Sequence, residues 1–210
     1  MSTPMTGAEE WAVIWYGLGG RPGSTGLHRQ LCAAYAEPER AYHSLAHVEH
    51  CLQGLATHRD LAIRPCEAAV ALWFHDAVYD PRASDNEARS ARWAAEALRA
   101  HDITEDAVGR VCDMVLATRH HGDPVEGDAA LVVDLDLAIL GQPPDVFDRY
   151  DAQIRSEYAW VEEDAYRTAR AAALRSFLTR DVLYRCASIR ERFDAPARAN
   201  LRRAIARLAA

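Results

Sequence analysis

A histidine–aspartate pair stands at the end of an apolar, helix-forming stretch of this chain, Ala71-Leu72-Trp73-Phe74-His75-Asp76. Burying two ionisable side chains there costs free energy, and a bound cation would offset that cost. Neutral imidazole and carboxylate are both good ligands for a divalent cation. His47 upstream and Asp136 downstream could complete a ligand set with this pair. The residue types therefore predict a metal site.

A further histidine group lies upstream, in Tyr42-His43-Ser44-Leu45-Ala46-His47. His43 and His47 are four residues apart, so on a helix they would lie on one face. Two histidines alone are equally typical of a solvated polar helix face. Apolar neighbours around the first histidine, and the His75-Asp76 pair that follows at helix-hairpin distance, favour a site.

The order of these residues, His47, then His75-Asp76, then an acidic residue, resembles the HD superfamily of metal-dependent phosphohydrolases. The resemblance is strongest to a small bacterial branch of predicted phosphohydrolases. It implies an all-α, single-domain HD-type helical bundle over residues 1–210 and hydrolysis of a small phosphoester, such as a nucleotide or related phosphometabolite. It also implies that His47, His75, Asp76 and Asp136 bind the metal, and that Asp76 takes part in catalysis.

The segment Tyr42–His47 is similar to the YHNxxH motif of cyclic-nucleotide phosphodiesterases, which belong to the same superfamily. This similarity implies that His47 binds metal and that His43 protonates the leaving oxygen, with Ser44 replacing the motif's asparagine. A histidine acid suits neutral pH because its ordinary pKa is ~6.5. The expected cofactor is one or two divalent cations per chain, and the ligand types leave Mn, Fe, Mg, Zn, Co and Ni open.

Two aspartates, Asp134 and Asp136, compete for the role of last ligand. They are two residues apart, so on a helix they point to different faces. Asp136-Leu137-Ala138 resembles the Asp-Leu-Ser of phosphodiesterases, which favours Asp136 and leaves Asp134 as a helix cap or a support for the ligands. The adjacent His120 and His121 could hold a second metal, or could form the polar end of a helix.

The candidate substrate-binding residues are Arg82, Asn86 and Arg119. The segment Tyr79–Glu87 resembles a signature of the same bacterial branch, and its arginine could grip a phosphate with two hydrogen bonds. The helix start in this segment could present backbone N–H groups to an anion. Ser84-Asp85-Asn86-Glu87 also predicts a capping box. For Arg119, a plain surface arginine at a helix end is the alternative.

Two other functions stay open from the sequence. One is an HD-type di-iron oxygenase, in which His120 or His121 would hold a second iron. The other is a non-catalytic protein that binds a metal or a nucleotide and turns nothing over. Two irons per chain would indicate the first, and tight nucleotide binding without hydrolysis would indicate the second.

Composition narrows the class of protein. The chain has 210 residues, half of them apolar, which fits one domain with a sizeable core. Its net charge of −7 argues against a nucleic-acid polymer as partner but allows a small phosphorylated substrate. The five cysteines form no CxxC pair, and no leader-like segment or membrane-spanning apolar run is visible. A cytoplasmic location is therefore expected, and the oligomeric state stays open.

Helical periodicity runs through nearly the whole chain, and sustained apolar–polar alternation is absent. We therefore predict one all-α domain. The pattern places its helices at Glu9–Leu18, Leu27–Tyr35, Leu45–Leu55, Pro65–Phe74, Ser84–Leu98, Thr104–Val115, Ala129–Leu140, Val146–Val161, Ala165–Leu178 and Pro196–Leu208.

Overall fold

A computed structural model describes residues 5–21, 24–119 and 124–209. Over these residues the protein is all-α, as predicted, with no β-strand. The chain divides into two compact units, Met1–Val133 and Asp134–Ala210. One domain over residues 1–210 stays a prediction. None of the helices among the described residues is both long enough and apolar enough to span a membrane.

The first unit contains six complete helices within its described residues and the start of a seventh. They are α1 (Ala8–Gly17), α2 (Thr25–Ala34), α3 (Leu45–Thr57), α4 (Pro65–Phe74), α5 (Asn86–Ala100), α6 (Glu105–Ala117) and α7 (Gly127–Asp136). A short 3₁₀ turn, Arg59–Leu61, connects α3 to α4. α7 begins in the first unit and continues three residues beyond its limit.

α4 is the central helix of the first unit and packs against α1, α3, α5 and α6. Every residue from Glu67 to Phe74 is buried. A helix that is apolar on all sides is one that neighbours surround. Pro65 occupies its first turn, where the missing N–H is not needed. His75 and Asp76 therefore follow directly after a helix that lies in the core of the first unit.

After the last three residues of α7, the described part of the second unit contains a 3₁₀ segment (Leu137–Gly141) and three helices, α8 (Pro144–Glu157), α9 (Glu163–Leu178) and α10 (Ala187–Ala209). α10 packs on α9 and on the 3₁₀ segment. A Cβ added at Gly141 would lie 2.6 Å from the Cβ of Phe193 and 2.7 Å from its carbonyl oxygen. Only glycine permits this close approach of α10.

Several predicted helix boundaries were wrong, including the end of α8, which was predicted at Val161 and lies at Glu157. α10 begins at Ala187 and carries Pro196 in its interior, because the packing of Ile189, Ala197 and Leu201 in the core sustains the helix through the proline. The helix predicted to reach Leu140 ends as α-helix at Asp136 and continues as 3₁₀.

A further error concerns the capping box predicted at Ser84–Glu87. α5 begins at Asn86, and its N-cap residue, Asp85, makes no side-chain capping hydrogen bond. The Glu87 carboxylate instead lies 3.9 Å from Nε of Arg119.

Candidate metal centre

The C-terminal end of α4 presents two ionisable side chains to α3. His75 is the C-cap residue of α4 and is 1% exposed, and His47 lies in the first turn of α3 and is also buried. Their Nε2 atoms are 3.0 Å apart. Oδ2 of Asp76 lies 3.0 Å from Nε2 of His75 and 3.8 Å from Nε2 of His47. Three potential ligand atoms therefore converge within the first unit.

A backbone carbonyl fixes the orientation of the His75 ring. Nδ1 of His75 donates to the carbonyl oxygen of Leu72, 2.8 Å away within the same helix. When the imidazole is neutral, this hydrogen bond keeps the proton on Nδ1 and turns the Nε2 lone pair toward His47 and Asp76. Metal-binding histidines commonly have their second nitrogen held in this way.

Asp136 is the last residue of α7. It belongs to the second unit, and its role as the last ligand stays a prediction. The imidazoles of His47 and His75 and the carboxylate of Asp76 form a mixed nitrogen and oxygen donor set, which suits the divalent transition metals. The residues present therefore fit a divalent cation, and this group could hold one.

Asp134, the competing aspartate, serves a different purpose. Its side chain is fully buried, and its carboxylate accepts the backbone N–H groups of Arg185, at 2.9 Å, and Cys186, at 2.6 Å. These two residues immediately precede α10. Burial raises the pKa of Asp134, although both hydrogen bonds act in the opposite direction. Asp134 thus holds the segment that leads into α10. This role is similar to that of a helix cap, which is one of the two roles that the sequence left open for Asp134.

His43 reaches the site differently from the prediction. It does not lie on α3, because Ser44 adopts an extended backbone conformation and the helix begins only at Leu45. The expected helical four-residue spacing with His47 was therefore wrong. The two rings are nevertheless close, with centroids 6.3 Å apart, and the His43 ring stacks on Tyr79 at 4.1 Å. His43 is half-buried, so solvent or a substrate can reach it.

Two of the candidate substrate-binding residues, Arg82 and Asn86, make hydrogen bonds in the loop that follows Asp76. The Asn86 side chain is engaged twice by the backbone of Asp80, accepting its N–H at 3.1 Å and donating to its carbonyl at 2.8 Å. Arg82 is exposed, and its backbone N–H donates to the Asp80 carboxylate. Arg119 is exposed and faces Glu87. Asn86 therefore stabilises the loop, and phosphate binding by all three residues stays a prediction.

His120 and His121 lie outside the described residues. A second metal bound by them, and with it the di-iron alternative, therefore stays a prediction. His50, one turn beyond His47 on α3, is half-buried, and its pKa is lowered by burial and by the neighbouring His47. Among the described residues, His50 is not one of the possible metal ligands that lie close together.

Sequence reasoning missed Arg40. Its guanidinium is almost completely buried and contacts the carbonyl groups of His43 and Asp76. No spacing rule indicates this residue, because the carbonyl of Asp76 is 36 residues away along the chain.

Comparisons with known proteins give no family for this chain: no family model, no curated protein and no solved structure matches it. The geometry of the site therefore carries the functional argument.

Proposed function

We propose that this protein is a metal-dependent hydrolase of a small phosphoester, with a nucleotide or related phosphometabolite as the substrate class and the cytoplasm as its location. The observation that carries the proposal is the convergence of two buried imidazoles and the Asp76 carboxylate at the end of α4. His47, His75, Asp76 and Asp136 would hold the cation. When bound, it supplies Lewis acidity toward a phosphoryl oxygen and toward the attacking water.

The depth of each residue supports a division of roles. His47 and His75 are buried, which suits residues that hold a cation and exclude bulk water. The Asp76 side chain is 17% exposed, so one face of its carboxylate is accessible from solvent. A carboxylate at that position can orient a water molecule and accept its proton.

His43 is assigned to the leaving group. Its ring is half-buried, stacks on Tyr79 and lies next to His47. A protonated imidazole there can donate to the leaving oxygen as the P–O bond breaks, and His43 then regains its proton from solvent. The exposed Arg82 is the residue assigned to the substrate phosphate, since a guanidinium binds phosphate through two hydrogen bonds.

The proposal is tested on metal-free protein reloaded separately with Mn, Fe, Mg, Zn, Co and Ni. Each form is assayed with nucleoside monophosphates, cyclic nucleotides, nucleoside triphosphates and bis(p-nitrophenyl) phosphate. Turnover should appear with at least one metal. Asp76→Asn, which keeps the size of the side chain and removes its charge, should lose metal and turnover while circular dichroism remains helical.

Two results would contradict the proposal. One is wild-type protein that binds metal and hydrolyses nothing in the panel, which would indicate a non-catalytic metal-binding protein. The other is folded Asp76→Asn protein with undiminished metal content and activity.

A further inference from the structure

Arg40 is a buried cation next to the candidate metal centre. Its side chain is 1% exposed, and Nε donates to the Glu37 carboxylate at 2.9 Å. The guanidinium also lies over the rings of Tyr35 and Tyr79, 5.1 and 5.6 Å from their centroids. A guanidinium is costly to bury unless its N–H groups find acceptors, so the position of these acceptors is informative.

The remaining acceptors belong to the two segments that carry the site. Nη1 donates to the carbonyl oxygen of His43, at 3.2 Å, and to that of Asp76, at 2.6 Å. Nη2 donates to the carbonyl oxygen of Ala77, at 3.0 Å. One side chain therefore ties the segment before α3 to the turn after α4. Its positive charge near the C-terminal end of α4 also opposes the negative end of the helix dipole.

The Tyr79 ring extends this connection to the side chain of His43. The Tyr79 ring contacts the Arg40 guanidinium and also stacks on the His43 ring, with the two ring centroids 4.1 Å apart. Arg40 thus constrains the backbone of His43 directly and its ring through Tyr79. Because a metal-ligand set must be held to within a fraction of an ångström, such constraints affect binding as well as stability.

We infer that Arg40 is a positioning residue, which holds Asp76 and His43 in register with His47 and His75 for cation binding and proton transfer. The inference deepens the proposed function and rests on it for the proton-transfer part. A lysine cannot replace this arginine, because an ammonium group lacks the planar fork that reaches a carboxylate and three carbonyl groups at once.

The test compares Arg40→Lys and Arg40→Met with the same two substitutions at Arg170. Arg170 is a matched control, since its side chain is only 10% exposed, hydrogen-bonds to a carboxylate (Asp151) and lies over a tyrosine ring (Tyr150). Each protein is titrated with Co²⁺, whose visible spectrum reports ligand geometry. Hydrogen exchange of the metal-free proteins then reports order in residues 41–44 and 76–79.

Both Arg40 variants should bind Co²⁺ more weakly by about tenfold or more, comparable to the loss of an outer partner of a metal ligand. They should also change its spectrum and show faster exchange in both segments. The Arg170 variants should be less stable while keeping the wild-type Co²⁺ affinity and spectrum. For bis(p-nitrophenyl) phosphate hydrolysis, the Arg40→Lys variant should have a lower kcat than wild type and an unchanged KM.

Folded Arg40→Lys protein with wild-type Co²⁺ affinity, spectrum and exchange would overturn the inference. So would a failure of both Arg40 variants to fold, since Arg40 would then serve the fold alone. If wild-type protein binds Co²⁺ but hydrolyses nothing, the phosphohydrolase proposal fails, while the Co²⁺ and exchange comparison still decides the role of Arg40. If wild-type protein binds no Co²⁺, both are wrong.

Discussion

The two ends of helix α4 hold ionisable groups in contrasting ways. At its start, the buried Glu67 carboxylate accepts two hydrogen bonds, both of 2.7 Å, from the guanidinium of Arg110 on α6. At its end, Nε2 of His75 faces Nε2 of His47 and Oδ2 of Asp76. The cation at the first end is a side chain of the protein. At the second end, imidazole nitrogens and a carboxylate converge as ligands do around a cation taken from solution.

This contrast separates the part of the polar core that serves stability from the part that serves chemistry. A carboxylate matched by a fixed guanidinium gains nothing from an added metal. The lone pairs of the imidazole nitrogens and the negative carboxylate oxygen repel one another, and a bound cation offsets this repulsion. An added metal should therefore bind and stabilise only the second end of α4.

Removing a buried ligand at the second end should have the largest effect. We expect His47→Ala to lose bound metal and all measurable hydrolysis, because the imidazole Nε2 that faces His75 is gone. His50→Ala, one turn further along the same helix, should keep both. Metal analysis and activity on the same preparations provide the comparison. Equal metal content in the two variants would contradict the ligand role of His47.

Removing His43 should reduce turnover without removing metal. We expect His43→Ala to keep metal and to lose a factor of ~10²–10⁴ in kcat, which is typical of a general acid or base. His101→Ala is a suitable control, since that ring stacks edge-on against Trp15. If His43→Ala protein is isolated without metal, His43 is a ligand and the two histidine roles are exchanged or shared.

The two aspartates at the end of α7 should respond in opposite ways. Asp136→Asn should weaken metal binding by more than the ~10-fold that loss of an outer partner costs. Asp134→Asn should keep the affinity but lose stability, since an amide presents an N–H group to one of the two backbone donors. That mismatch costs about 1–3 kcal/mol. Calorimetric titration measures the metal affinity of both variants, and chemical denaturation measures their free energy of unfolding. A loss of metal affinity in Asp134→Asn but not in Asp136→Asn would assign the ligand role to Asp134.

A change at the first end of α4 should leave the metal site unaltered. Glu67→Gln removes the carboxylate charge and presents an amide N–H group to one of the two Arg110 donors, so its melting temperature should fall. Its metal stoichiometry and affinity should equal those of wild type. A loss of metal in this variant would show that the two ends of α4 are coupled, and the contrast between them would then be wrong.

Much of the fold follows from local patterns. The apolar run of α4 and its first-turn proline indicate a buried helix, and the structure confirms it. Pro196 misled the prediction of α10 for the same reason, because proline favours a helix start. The core contacts of Ile189, Ala197 and Leu201, which hold the helix together across the proline, are tertiary and leave no mark on local sequence.

The candidate site could be predicted in its residue types but not in its geometry. Spacing indicated that Asp134 and Asp136 face different sides of a helix. Which of the two accepts backbone hydrogen bonds depends on the N–H groups of Arg185 and Cys186, about fifty residues later in the chain, and both donate to Asp134. Arg40 is one of 24 basic residues in the chain, and the carbonyl groups that hold it come from separate segments.

The most direct test of the central claim is the metal content of wild-type protein. Metal-free protein is dialysed against each of the six candidate cations and analysed for bound metal and melting temperature. We expect one or two cations per chain, and a melting temperature that rises with cation concentration because binding favours the folded state. A chain that remains metal-free after exposure to all six cations would contradict the account.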